Sequence, residues 1–89
     1  MLTFEGEQFL GREAIVGKLR NVGKVQHTVK SHDVQPSLDN NSMLIFVTGT
    51  LVIDGNGNPL HFCETFQLVS KGSGEFYVHN DIFRLNYGL

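Results

Sequence analysis

The strongest constraint on this chain is a single change in the period of its apolar residues. In Gly11-Arg12-Glu13-Ala14-Ile15-Val16-Gly17-Lys18-Leu19-Arg20-Asn21-Val22, apolar Ile15, Leu19 and Val22 recur at i, i+4 and i+7. Arg12, Glu13, Lys18 and Arg20 take the other faces, so the stretch reads as an amphipathic helix with Gly23 as its stop. From Val25 onward the period is 2, the repeat of an extended strand. One helix followed by strands alone predicts an α+β fold, with helical cover on one face of a curved sheet.

The remaining elements follow from punctuation. Leu2 to Phe9, interrupted by Glu5-Gly6-Glu7, predicts a short strand, a tight turn and a return. Val25, His27, Val29 and Ser31 alternate with Gln26, Thr28, Lys30 and His32, which predicts a long, half-exposed strand. Pro36-Ser37-Leu38-Asp39-Asn40-Asn41 is a turn cluster. From Ser42 to Ile53, Phe46, Thr48, Thr50 and Val52 face one side, and Met43, Ile45, Val47, Leu51 and Ile53 the other. Both faces are largely apolar, so this strand is expected to be buried on both sides, with a bulge or bend at Gly49. Asp54-Gly55-Asn56-Gly57-Asn58-Pro59 reads as a hairpin connection. Leu60 to Val69 is the next strand, Ser70 to Glu75 a turn, and Phe76 to Tyr87 the last strand. The order is a short β-turn, a helix and four long antiparallel strands in a meander. A helix of about three turns is too small to cover such a sheet. Either a partner buries an apolar face, or a helical segment has been lost.

Composition removes several functions. The 89 residues allow one domain, 1–89. Seven Lys and Arg against nine Asp and Glu give a net charge of −2, and the cations are scattered. That is no footprint for nucleic acid, which needs clustered cations against phosphate. A lone cysteine, Cys63, rules out an internal disulfide and a cysteine-rich zinc site. The N-terminal residues show neither a basic n-region nor an apolar h-region, and the longest apolar run, Met43 to Val47, is far too short for a helical membrane span. A soluble chain of the cytosol or of both nucleus and cytosol is expected, without membrane insertion.

Residues able to do chemistry are sparse. His27, His32, His61 and His79 have no zinc spacing, so no metal is expected. Gly55-Asn56-Gly57 precedes no helix and cannot be a phosphate-cradling loop. Cys63 reads as a packed residue, and no serine or threonine sits in a nucleophile elbow. Among Asp33, Asp54, Glu64 and Asp81, Glu64 stands out because it alternates with Leu60, Phe62, Phe66 and Leu68. It points toward an apolar face as an acid–base group, as an interfacial pair, or at a bulge that turns it outward. No cofactor motif is present, and no enzyme signature emerges.

Several motifs do carry identity. Leu2-Thr3-Phe4-Glu5-Gly6-Glu7-Gln8-Phe9, Gly11, Ala14-Ile15-Val16, Val25-Gln26-His27 and Asp33-Val34-Gln35-Pro36 come in order. They end in Phe76-Tyr77-Val78-His79-Asn80-Asp81-Ile82-Phe83-Arg84-Leu85-Asn86-Tyr87. Together they resemble the nuclear transport factor 2-like family over essentially the whole chain. The resemblance implies a cone of strongly bent antiparallel sheet packed against helix, with a pocket at its open end. It also implies a long helix ahead of the position of Leu2, so the chain is expected to correspond to the C-terminal portion of a family domain.

The same resemblance implies a non-catalytic homodimer that binds Ran-GDP and Phe-rich (FxFG) nucleoporin repeats. Such a protein works in the cytoplasm, the nucleus and the nuclear pore. Carried over by local motif, Glu5 and Asp54 are rim acids of the Ran site. Asn56 falls where a third acid is expected, so that charge is lost. Phe4, Val22, Val25 and His27 line the aromatic-binding cavity. Phe46 and Ile82 belong to the dimer face, with Asp81 and Arg84 in structural or interfacial ion pairs and Phe83 and Phe66 in the core. Two rival readings accompany it. One is a scaffold domain binding short Phe-containing peptides. The other is a cone-fold isomerase or dehydratase using His27, Asp33 or Glu64.

Overall fold

A computed structural model describes residues 1–39, 41–55 and 57–86. Asn40 of the turn cluster, Asn56 of the rim and Tyr87 of the final motif lie outside the described residues. The elements are β1 Leu2–Phe4, β2 Glu7–Phe9, α1 Arg12–Val22, β3 Val25–Pro36, β4 Ser42–Ile53, β5 Leu60–Gly72 and β6 Glu75–Leu85. All six strands form one curved sheet in the order β2-β1-β6-β5-β4-β3. The change of period after Gly23 is the boundary between α1 and β3.

The meander from β3 to β6 is antiparallel, as the pattern requires. The sheet as a whole is mixed, because β1 runs parallel to β6 with Leu2 opposite Asp81 and Phe4 opposite Phe83. The first hairpin thus occupies the backbone donors and acceptors that β6 would otherwise present as an edge. Glu5 N–H donates to the Phe83 carbonyl at 3.0 Å, Asp81 N–H to the Met1 carbonyl at 2.9 Å, and the Met1 amino group to the His79 carbonyl at 2.8 Å.

The expected irregularity lies on the strand facing Gly49. The β3–β4 register shifts between Val29 and Ser31, where Val29 pairs with Gly49 and Ser31 with Thr48. A side chain at Gly49 would place its Cβ 2.1 Å from the Thr28 carbonyl oxygen, so only glycine admits this approach. The extra residue inverts the side-chain alternation, because a strand repeats every two residues. Ser31 therefore does not share a face with Val25, His27 and Val29, contrary to the uninterrupted alternation.

The core is small. Leu51, Phe62 and Phe83 are buried together, with Phe4, Val25, Val47, Ile53 and Leu85 packed around them. Leu2 is 1% exposed. Phe4 and Phe83 stack at 4.6 Å between ring centroids, and Phe62 and Phe83 at 5.8 Å. Phe83 is core as expected, whereas Phe66 is half-buried. The expectation that β4 is buried on both sides fails: Phe46, on its outer face, is 42% exposed. The reason is cover, because α1, the one helix among the described residues, lies over the opposite face of the sheet. Helix α1 has no buried residue, and it reaches the hairpin mainly through Lys18, whose ammonium lies 5.0 Å from the Phe4 ring and 3.8 Å from Glu7. An exposed ion pair of this kind adds little stability.

Candidate binding cavity

Strand register sorts the side chains of the sheet into two faces. On the inner face, Val47, Glu64, Phe83 and Phe4 form one row across β4, β5, β6 and β1, and Ile45, Phe66, Asp81 and Leu2 form the next. On the outer face, Phe46, Thr65, Ile82 and Thr3 form a row. The inner face, roofed at one end by Leu19 and Val22 of α1, encloses a cavity of about 470 Å³. Its walls include Leu2, Phe4, Val25, Leu51, Ile53, Phe66, Phe83 and Leu85. A mostly apolar cavity of this size with a few convergent polar groups is the usual form of a binding site.

Four residues expected in one cavity are in this one: Phe4, Val22, Val25 and His27. His27 packs edge-on against Phe62 at 5.4 Å, a ring contact and not a proton-transfer pair. Of the other acid–base candidates, Glu64 lines the cavity and Asp33 lies on the outer face opposite Phe46.

Glu5 and Asp54 adjoin wall residues Phe4 and Ile53, and both carry a left-handed backbone, with φ of 52° and 51°. Each carboxylate also holds the fold. Glu5 Oε1 accepts from the Leu85 N–H, joining the β1–β2 turn to the end of β6. Asp54 Oδ1 accepts from the Lys24 N–H at 2.8 Å, and Asp54 N–H donates to the Lys24 carbonyl at 2.7 Å. These bonds pin the end of α1 to the β4–β5 connection. Gly23 is required there, since it has φ of 97° and a Cβ would come within 2.6 Å of Asp54 Oδ2.

Asp81 departs from its expected place. With no bulge between Asp81 and Arg84, their odd separation puts them on opposite faces, so they do not share the face assigned to both. Arg84 lies outside, its guanidinium against Gly6. Asp81 lines the cavity diagonally across from Glu64, whose direct partner is Phe83. Burial pushes the Glu64 carboxyl up to about 9, helped by its hydrogen bond to Asp81 and by the Asp81 charge. Glu64 therefore holds a proton at neutral pH and serves as donor to Asp81. The apolar company of Glu64 in the alternation is thus real. The matching signal for Asp81 is its two-residue offset from buried Phe83.

Phe46 and Ile82 share the outer face on either side of Thr65, 42% and 49% exposed. No group of three or more potential metal ligands occurs among the described residues. Among them, no helix is long and apolar enough to cross a membrane.

The chain is a curved α+β sheet with an apolar cavity on its concave side and with Phe46 and Ile82 exposed on its convex side. The family model of the Nuclear transport factor 2 (NTF2) domain matches residues 1–85. Nuclear transport factor 2 of Oryza sativa subsp. japonica is 51% identical over 90 residues, covering 99% of this chain and 73% of its own length. The Saccharomyces cerevisiae protein of that name is 46% identical over 89 residues, covering 98% and 70%. The structure of nuclear transport factor 2 from Cryptosporidium parvum matches with a TM-score of 0.86 at 43% identity, covering 97% of this chain and 69% of that one. The chain belongs to the nuclear transport factor 2 family. Its near-complete match to proteins of that name supports a nuclear transport factor role.

Proposed function

We propose that this domain acts as a non-catalytic adaptor that binds Ran-GDP and Phe-rich FxFG nucleoporin repeats, and so carries Ran from the cytoplasm through the nuclear pore to the nucleus. The observation that carries this reading is the inner cavity, about 470 Å³ and largely apolar, whose wall residues Phe4 and Ile53 are followed in the chain by Glu5 and Asp54. An aromatic side chain of Ran enters the cavity and contributes most of the affinity, as a desolvated anchor does. Lysines of the partner meet the free oxygens of Glu5 and Asp54, which set orientation and association rate. Asn56 brings no charge to that rim. Two copies pair through the outer faces around Phe46 and Ile82.

Calorimetric titration with Ran-GDP and Ran-GTP tests the reading. Stoichiometric binding that prefers Ran-GDP supports it. Glu5→Gln keeps an acceptor for the Leu85 N–H but removes the charge, and should slow association several-fold at low salt. A folded protein indifferent to both nucleotide forms would refute it, and binding of Phe-containing peptides alone would leave a peptide-binding scaffold.

A further inference from the structure

The convex face carries two charges that the chain itself leaves unmatched. Three rows of side chains cross it, from Ser31, Asp33 and Gln35 on β3 to Arg84, Ile82 and Asn80 on β6. Asp33 and Arg84 are the charged members of these rows, one of each sign and at opposite margins. Both are exposed. Among the described residues the one ion pair joins Lys18 and Glu7, so neither charge is matched within the chain. Nor can they reach each other. Three strand spacings, about 14 Å, separate β3 from β6, and Phe46 and Thr65 stand between them.

We propose that two copies of this chain pair through this face with Asp33 of each bonded to the partner's Arg84. The inference rests on the reading that copies pair through their outer faces, and it adds the contacts that orient them. A second copy is the occupant that the charges fit. The face holds both halves of an ion pair, so it complements itself under a two-fold rotation. An acidic or a basic partner protein would match only one of the two charges. Arginine suits the task, because its planar guanidinium binds a carboxylate through two parallel N–H donors.

The register also fixes how the copies stack. A two-fold axis parallel to the strands, between β4 and β5, lays β3 over the partner's β6 and β4 over the partner's β5. Asp33 and Arg84 lie in adjacent rows, about 7 Å apart along a strand, which is within the length of an arginine side chain. Each Asp33 then meets the partner's Arg84 twice per dimer, at the margins of a centre formed by Phe46 and Thr65. An axis across the strands would set each strand over its own copy and leave both charges unmatched. Apolar burial is not directional, so the two ion pairs select between these arrangements.

Charge exchange tests the inference. Asp33→Arg and Arg84→Asp each set like charges against one another at both contacts, which should raise the dimer dissociation constant by about a hundredfold. An equimolar mixture of the two variants restores both contacts, but only in a dimer with one chain of each kind. Sedimentation and native mass spectrometry should therefore show single chains for each variant alone and a mixed dimer when they are combined. A chain carrying both Asp33→Arg and Arg84→Asp should pair with itself as the parent does. Circular dichroism checks the folding of each variant. The neutral changes Asp33→Asn and Arg84→Gln give a second reading, and each should weaken pairing several-fold and flatten its dependence on salt. A parent dimer whose variants pair as tightly as it does, or whose mixed variants stay single, overturns this inference alone. A parent that stays a single chain at high concentration overturns outer-face pairing and this inference with it.

Discussion

Glu64 makes stability depend on pH in the opposite sense to a salt-bridged carboxylate. Its folded value of about 9 lies above the ordinary value of 4.5, so the folded state holds a proton that the unfolded chain releases between those limits. The Glu64 contribution to stability is therefore full below pH 4.5 and is lost progressively as pH rises toward 9. Glu64→Gln removes this slope and keeps a donor for Asp81. Thermal unfolding should show the variant gaining more over the parent at pH 8 than at pH 5; an equal difference at both would mean that Glu64 is already ionised in the fold. At this scale the sequence was partly legible. Alternation placed Glu64 on an apolar face because neighbours two residues apart reveal a face directly. The roles of Glu5 and Asp54 as backbone acceptors were not legible, since their partners Leu85 and Lys24 lie 80 and 30 residues away in the chain.

Elements were more readable than their junctions. The periods of 3.6 and 2 located α1 and all four long strands, because periodicity is a local property of the chain. They did not show β1 pairing parallel to β6, which depends on contacts between the two ends of the sequence. Gly49 signalled an irregularity, but the extra residue sits on β3, where the Thr28 carbonyl approaches the glycine. Gly49→Ala should destabilise the domain by on the order of 3 kcal/mol, the upper end of overpacking costs, because backbone must move to admit the methyl group. Chemical denaturation measures it, and a change below about 0.5 kcal/mol, the usual scatter of neutral surface changes, would contradict the bulge geometry. Leu51 tests the core next to it. At 3% exposure and packed on Phe62 and Phe83, Leu51→Ala should cost about 2–5 kcal/mol in the same assay.

For the whole molecule, the proposed function gives the two faces of the sheet different tasks. The convex face leaves Phe46 and Ile82 in solvent, and pairing of two copies there would bury them. Light scattering should give twice the mass of one chain for the parent and a single-chain mass for Ile82→Asp, whose buried charge the interface would not tolerate. The shortage of helical cover was legible from element lengths alone, since one short helix cannot shield a sheet of long strands. The depth and lining of the cavity were not, because they arise from sheet curvature and from residues brought together across β1, β4, β5 and β6. The concave face is the center of the proposed function, and methyl-detected NMR during titration with Ran-GDP tests it most directly. The expected result is shifts at Leu2, Val22, Val25, Leu51 and Leu85 with Ile82 unmoved. Shifts confined to Ile82 and the convex face, or no shifts with Ran-GDP in excess, would contradict it.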